Sequence, residues 1–530
     1  MRTGTRLRSR LIGLVLVGAV VALLASALKT PPLPTRGAPP GIPYAWGLGS
    51  MGELGNGSTA NSSVAVQVAG LSNAVALSAG RFHSLALDVG GRVWAWGGNY
   101  AGQLGIGSLA NSVIPVPVGG LPAITAIAGG GIHSLALDVG GQVWAWGSNS
   151  FGQLGDGTTT DSNVPVLTTG LPAVSAIAGG GFHSLALDGS GNVWAWGRNS
   201  SGQLGDGTTT DSSVPVPVLG LPPGVIAIAA GGDHSLALDG SGNVWAWGDN
   251  SCGQLGTTAS NSPNTTPVLV SGLPSNIVAI AAGWCQSLAL ASSGQVWAWG
   301  GNFFGQLGNG SVSFSNPTPG PVASLSGIVA IATNGYHGLA LDGNGNVWAW
   351  GWNSSGQLGD GTTTDSSTPV MVLSSGGNPL SGVTAIAAGG EHSLALAGAP
   401  QPTPTATPCV PNAANPCQTP TPTATPCVPN AANPCLTPLP TETPPPTATK
   451  TPPATSTPCV RDPGVPCETP PATGTPRPTG TPCKPDPLHP CDPLSPTRTP
   501  SPTPTRTPTP TPTPTCGPIY GPQGIPITTC

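Results

Sequence analysis

The string Trp-Ala-Trp-Gly recurs along the middle of the chain, with its second indole at Trp96, Trp146, Trp196, Trp247, Trp299 and Trp350. The variant Tyr44-Ala45-Trp46-Gly47 precedes them, and successive second tryptophans lie 50, 50, 50, 51, 52 and 51 residues apart. A fixed period in this range marks tandem copies of one supersecondary unit that needs its neighbours to bury its apolar face. Gly-Gln-Leu-Gly follows each copy within a few residues, as Gly52-Glu53-Leu54-Gly55 in the first. A segment like His183-Ser184-Leu185-Ala186-Leu187-Asp188 precedes every copy except the first.

Each unit reads as four short strands. Val214-Pro215-Val216-Pro217-Val218 suits an outer edge, because proline cannot donate to a ladder. Ile226–Ala229 is a short apolar run, and Ser235–Leu238 and Val244–Gly248 flank a Gly-containing hairpin loop, Asp239–Asn243. Alternation puts both tryptophans of Val-Trp-Ala-Trp on one face, and the Ala-rich strands leave room for their rings between sheets about 10 Å apart. Tyr44–Gly47 has no His-Ser-Leu-Ala-Leu strand before it, and His392–Leu396 has no Trp-Ala-Trp-Gly after it. Pairing the two closes a ring and removes the open edge. The expected fold is all-β, a seven-bladed β-propeller of four-stranded blades over residues 44–398.

Composition agrees. With 79 Gly and 64 Pro in 530 residues a helical bundle is excluded, and 38% hydrophobic residues exclude disorder throughout. Residues 44–398 carry three basic side chains (Arg81, Arg92, Arg198) against fifteen acidic ones. Nucleic-acid binding needs clustered cations to neutralise phosphates, so DNA and RNA are not expected partners.

The pattern G-G-x-H-S-L-A-L-D-x-x-G-x-V-W-A-W-G-x-N-x-x-G-Q-L-G resembles the regulator-of-chromosome-condensation repeat from residue 44 to about 398. The resemblance implies a seven-bladed β-propeller. That family includes a nuclear guanine-nucleotide exchange factor, a plant ultraviolet receptor and a secreted bacterial β-lactamase inhibitor, so fold alone does not choose a function. The light-receptor members have a Gly-Trp-x-His type of motif; here Trp284 alone fills it, in Gly283-Trp284-Cys285-Gln286, without the Arg that usually follows.

Chemistry-bearing residues mostly belong to the repeat itself. Six histidines (His83, His133, His183, His234, His337, His392) invite a metal reading, but equivalent positions on blades about 10 Å apart cannot share an ion with bonds near 2.0–2.1 Å. They are expected to hydrogen-bond nearby backbone. Asp-Gly-Thr-Thr-Thr-Asp (Asp156–Asp161, Asp206–Asp211, Asp360–Asp365) lacks the alternating acids of a calcium loop and suits a turn. No catalytic set stands apart from the repeat, so no enzyme activity, cofactor or metal is expected.

Two positions vary freely between copies. One precedes the repeat histidine or its Gln286 replacement: Phe82, Ile132, Phe182, Asp233, Cys285, Tyr336 and Glu391. The other lies between Trp-Ala-Trp-Gly and Gly-Gln-Leu-Gly: Tyr100, Phe151, Arg198, Asp249, Phe303, Phe304 and Trp352. Together with Trp284 they read as a binding face, because aromatic anchors with scattered charge on strand-end loops are the usual composition of a recognition patch. Neutral drift at tolerant positions is the alternative.

Outside the repeats, Arg2, Arg6, Arg8 and Arg10 precede an apolar run, Leu11–Leu28, that ends in Ala25-Ser26-Ala27. This reads as an export signal over residues 1–27, or an uncleaved membrane anchor, followed by a Pro-rich linker over 28–43. Residues 399–530 hold 41 Pro with long Thr-Pro runs and no Trp or Phe, which reads as a low-complexity extended stalk. An even cysteine count in an exported chain points to disulfides. In the tail, one spacing is shared by Cys409 and Cys417, Cys427 and Cys435, Cys459 and Cys467, and Cys483 and Cys491. Cys516 and Cys530 remain as a fifth tail pair, and in the propeller Cys252 and Cys285 appear together. The expected function is a monomeric, exported, non-enzymatic binding propeller that engages a protein or glycan at or outside the cell surface. The alternatives are an exchange-factor-like regulator of a small GTPase and a secreted enzyme inhibitor.

Overall fold

The computed structural model describes residues 40–257 and 263–398. The apolar run Leu11–Leu28 and the Pro/Thr-rich tail lie outside the described residues. So do the five disulfide pairs expected in that tail, Cys409 with Cys417, Cys427 with Cys435, Cys459 with Cys467, Cys483 with Cys491, and Cys516 with Cys530. Of the cysteine pairs expected from the sequence, Cys252 with Cys285 falls on described residues, and the two are joined.

The described chain opens with β1 (Gly41–Gly47) and β2 (Ser62–Gln67) and then builds six four-stranded antiparallel blades. The first is β3 (Ala74–Ala79), β4 (His83–Asp88), β5 (Val93–Gly97) and β6 (Ser112–Pro117). The second is β7 (Ile124–Gly129), β8 (His133–Asp138), β9 (Val143–Gly147) and β10 (Ser162–Leu167). The third is β11 (Val174–Gly179), β12 (His183–Asp188), β13 (Val193–Gly197) and β14 (Ser212–Pro217); the fourth is β15 (Val225–Ala230), β16 (His234–Asp239), β17 (Val244–Gly248) and β18 (Asn264–Leu269). The fifth is β19 (Ile277–Ala282), β20 (Gln286–Ala291), β21 (Val296–Asn302) and β22 (Ser313–Pro321); the sixth is β23 (Ile328–Thr333), β24 (His337–Asp342), β25 (Val347–Gly351) and β26 (Ser366–Met371).

The seventh blade is shared between the two ends of the described chain. Strands β27 (Val383–Ala388) and β28 (His392–Gly398) continue into β1 and then β2. β1 and β28 pair residue for residue from Gly41↔Gly398 to Gly47↔His392. The ring is therefore closed by main-chain hydrogen bonds, and no blade presents an open central strand.

Apolar burial explains why the repeat insists on its second tryptophan. Trp46, Trp96, Trp146, Trp196, Trp247, Trp299 and Trp350 are all fully buried, each between its own blade and the one before. Trp299, for instance, packs with Leu236, Leu238, Val244 and Leu255 of the fourth blade. Burying one indole contributes about 5 kcal/mol at the usual area coefficient, which dominates each junction. Its Nε1–H donates to the main-chain oxygen of the Gln in the preceding Gly-Gln-Leu-Gly, as Trp146 to Gln103 at 2.9 Å. The closing glycine of that motif is required twice over. Gly105 has φ +68°, and a Cβ there would sit 2.8 Å from Trp146.

The innermost strands line a channel with their Ile and Ala side chains. The outermost strands carry the Val-Pro pattern read as an edge. At one end of every blade lie the hairpin loops; at the other lie the residue before the histidine and the loop after Trp-Ala-Trp-Gly. Gly41 and Gly398, near the two ends of the described chain, pair at the hairpin face.

Candidate functional site

In the third blade His183 lies opposite Gly197, so the residue before the histidine and the loop after Trp-Ala-Trp-Gly emerge side by side. The two variable sets therefore share one face, opposite the hairpins. They are also matched across blade junctions. The loop residue before Gly-Gln-Leu-Gly meets the residue before the histidine of the following blade. Phe151 meets Phe182 edge-on at 5.5 Å, and Phe304 meets Tyr336 edge-on at 5.6 Å. Cys252 is joined to Cys285 with Cα atoms 5.8 Å apart, and Ser355 Oγ donates to Glu391 Oε2 at 3.2 Å. Read along the sequence, the two cysteines belong to one repeat; in space their disulfide ties the fourth blade to the fifth.

Further rings extend this face. Trp352 stacks on Phe304 at 5.6 Å and meets Tyr336 edge-on at 6.1 Å. Phe303 packs on the outer-strand Phe314 at 4.9 Å, and Phe82 faces Tyr100 at 6.3 Å. The Arg198 guanidinium lies 5.5 Å and 5.8 Å from the Phe151 and Phe182 centroids and 3.4 Å from Asp233. Asp249 accepts from Gln254 Nε2 at 2.8 Å, and Ile132 is partly buried beside its loop. Tyr100 is 48% exposed, whereas the other candidates are half-buried. The Phe151–Phe182, Phe304–Tyr336 and Arg198–Asp233 contacts fasten one blade to the next. Burial pushes the Asp233 carboxyl up, with Arg198 opposing it; burial likewise raises Tyr336, with Arg81 opposing.

Beneath this face runs a belt of hydrogen bonds that the sequence reading assigned to backbone. The structure gives a different partner. His83 Nε2 meets Ser134 Oγ of the next blade at 2.8 Å, and His133–Ser184, His183–Ser235, His234–Ser287, His337–Ser393 and His392–Ser84 repeat the contact at 2.8–2.9 Å. Each serine donates its own proton to a main-chain oxygen, as Ser134 to Gln103 at 2.8 Å. The histidine must therefore donate from Nε2, which leaves Nδ1 buried and unpaired in all six. Desolvation holds the rings neutral, with pKa values lowered to about 3 for His83, His183 and His392 and about 4 for His133, His234 and His337. The regular period hid the partner, because the serine lies about 50 residues away, immediately after the next histidine.

The channel mouth holds Arg81, which sequence reasoning missed, beside Trp284, which it named. The position two before the histidine is Gly131, Gly181, Gly232, Gly335 and Gly390 in five blades, but Arg81 and Trp284 in two. The main-chain N–H groups there form a closed circuit, from Arg81 to Gly131 (3.1 Å) around to Gly390 to Gly80 (3.3 Å). Arg81 reaches across the mouth, its Cζ 5.0 Å from the Trp284 centroid and 4.9 Å from that of Phe82. Asn334 of the sixth blade also crosses, donating to Ala79 O of the first at 2.9 Å. Two departures from an otherwise invariant glycine were the available signal.

The hairpin face is chemically plain. Asp188 accepts Trp194 Nε1 at 3.3 Å and the main-chain N–H groups of Ser190 and Asn192, which is turn chemistry. On the opposite face the Asp-Gly-Thr-Thr-Thr-Asp loops are similarly self-contained: Asp156 accepts from Thr158 and Asn149, and Asp161 accepts from the Asn149 N–H at 2.7 Å.

A closed ring of seven such blades, with its side-chain variety gathered on one face, defines a seven-bladed β-propeller. Residues 166–400 match the RCC1-like domain, and residues 41–87, 90–137 and 140–187 match the regulator of chromosome condensation (RCC1) repeat. The chain belongs to this repeat family. It is 33% identical over 180 residues to the RCC1 domain-containing protein RUG3, mitochondrial, of Arabidopsis thaliana, covering 32% of this chain and 40% of that protein. It is 35% identical over 172 residues to the human E3 ubiquitin-protein ligase HERC2, covering 32% of this chain and 4% of that one. The chain thus spans less than half the length of these curated relatives. Among solved structures, human WBSCR16 superposes with a TM-score of 0.60 at 25% identity, over 67% of this chain and 98% of that one. Prp20p of Saccharomyces cerevisiae, described with its binding to Gsp1p and histones, gives 0.60 at 25% identity over 68% and 93%.

Proposed function

We propose that this chain is an exported, non-enzymatic binding propeller that recognises a protein or glycan partner at or outside the cell surface through the aromatic face. The observation that carries this reading is the gathering of Phe304, Tyr336 and Trp352, with Arg81 and Trp284 at the axis, on the face opposite the Gly41–Gly398 pair. Large rings with fixed neighbours present apolar area at low conformational cost. The basic-then-apolar N-terminal sequence supports the exported setting, and Prp20p supports protein recognition by this kind of fold.

The test is capture from surface and extracellular fractions by the full chain, compared with Trp352→Ala. Trp352 stacks at the rim of the cluster, so its removal should abolish capture while lowering Tm by only a few degrees. Nucleotide exchange on a small GTPase by the wild-type chain, with capture unaffected by Trp352→Ala, overturns the proposal in favour of the regulator reading.

A further inference from the structure

Arg81 is out of place twice. Where it stands, five of the seven blades have glycine, and a Cβ on Gly131, Gly181 or Gly335 would run into a main-chain oxygen of the following blade. Glycine is therefore what the backbone spacing of those blades admits, whereas Arg81 places a long side chain at this position. Arg81 also has no carboxylate within ion-pair distance; among the described residues the ion pair is Arg198–Asp233. In a domain with fifteen acidic and three basic residues, a half-buried arginine without a counter-ion is an unusual arrangement.

Its geometry defines what it can hold. The rings of Phe82 and Trp284 lie 4.9 Å and 5.0 Å from Cζ. Cation–π contact fixes the guanidinium and uses its faces, leaving the N–H edge as the direction open to hydrogen bonding. That edge matches two coplanar oxygens. A dianionic phosphate or sulfate fits poorly, because the same face carries Asp233, Asp249 and Glu391, and its other arginine, Arg198, is paired with Asp233. A carboxylate carries one charge and the right plane.

We infer that Arg81 and Trp284 form, at the mouth of the channel, a receptor for the carboxylate of an acidic sugar, with the sugar rings resting on Trp284, Tyr336 and Trp352. The inference rests on the binding-propeller reading and names the ligand class for the same face. Carboxylate oxygens accept hydrogen bonds, so Glu391, which follows the Gly390 that packs against Arg81, suits a ligand rich in hydroxyl donors. The main-chain N–H groups at the mouth are committed to the inter-blade circuit, so no backbone nest remains for a peptide C-terminus.

The test uses the full-length chain, a tri-galacturonate and its fully methyl-esterified form, titrated by calorimetry. The acid should bind, and esterification or Arg81→Gly should each weaken binding about tenfold or more, the range of a charged hydrogen-bond pair. Arg81→Gly restores the residue of five other blades and should melt no lower than the parent. If it does melt lower, Arg81→Gln and the esterified ligand carry the test. Equal binding of acid and ester, or unchanged binding by the Arg81 variants, overturns the inference. So does binding of a peptide with a free C-terminus in place of the sugar acid. Surface capture that Trp352→Ala abolishes and Arg81→Gly leaves intact would remove this inference and keep the binding propeller.

Discussion

Gln286 Nε2 donates to Thr333 Oγ1 at 2.8 Å, and this is the one link in the inter-blade belt where a histidine does not meet a serine. Three departures from the repeat coincide there. The serine of the sixth blade is Gly338, whose added Cβ would sit 2.5 Å from Trp350; the preceding blade has Gln286 for histidine; and Thr333 replaces a small residue of the inner strand. Thr333 Oγ1 passes its own proton to His337 O at 2.7 Å, so the chain of donors is preserved by different side chains. Gln286→His alone should leave a buried Nε2–H unpaired and cost about 1–3 kcal/mol. Gly338→Ser alone should be destabilising through Trp350. The triple variant with Thr333→Ala is expected to cost less than the sum of its parts, and strict additivity in Tm or urea midpoint would show that the three sites are independent.

Acid sensitivity follows from the neutral histidines. In the unfolded chain they take up a proton near pH 6.5, and in the folded one only near 3 or 4. Between those values the unfolded state holds more protons, so stability falls as pH falls, by about 1.4 kcal/mol per histidine per pH unit. The Tm should decline steeply from pH 7 to 5. His133→Gln, which copies the Gln286 solution, should lower the Tm at pH 7 yet flatten this slope. An unchanged slope would mean that His133 titrates normally in the folded state.

Ring closure predicts that the first strand matters as much as any inner one. Deleting Ala45–Gly47 removes Trp46 and its contacts with Leu339, Leu341 and Leu358, and exposes β28 as an edge. Loss of soluble protein, or a Tm lower by tens of degrees, is expected. A deletion variant that melts like the parent would exclude closure through β1 and β28.

Much of this architecture is legible in the sequence because one period fixes it. The buried indoles, the proline-bearing edges and the split blade all follow from spacing and alternation of residues such as Trp196, Pro215 and Tyr44. What a single repeat cannot reveal is which copy touches which. The His183–Ser235 bond, the Phe151–Phe182 contact and the reach of Arg81 to Trp284 all join different blades. Variability at Phe182 or Tyr336 reads from one copy as freedom, yet each of these residues is matched to a partner on the preceding blade. The face is thus both a set of junctions and a surface, and residues at its rim, such as Trp352, separate the two roles better than Phe182 does.

Cys252 and Cys285 occupy the places that Phe151 and Phe182 fill at another junction, and Phe304 and Tyr336 at a third. The disulfide is therefore one solution among several to the same problem, holding a loop of one blade against the next. Its closed loop spans a sequence separation of 33, for which chain entropy alone gives about 4 kcal/mol of stabilisation. Reduction should lower the Tm measurably without changing the ring. The double variant Cys252→Phe with Cys285→Phe is expected to recover part of that loss through an edge-on ring pair worth about 0.5–1.5 kcal/mol beyond its area, and to become insensitive to reductant. Either single substitution leaves a thiol facing a bulky ring and should be less stable than the double. If the double variant is no better than the singles, the junctions are not interchangeable and the match between their residues has another cause.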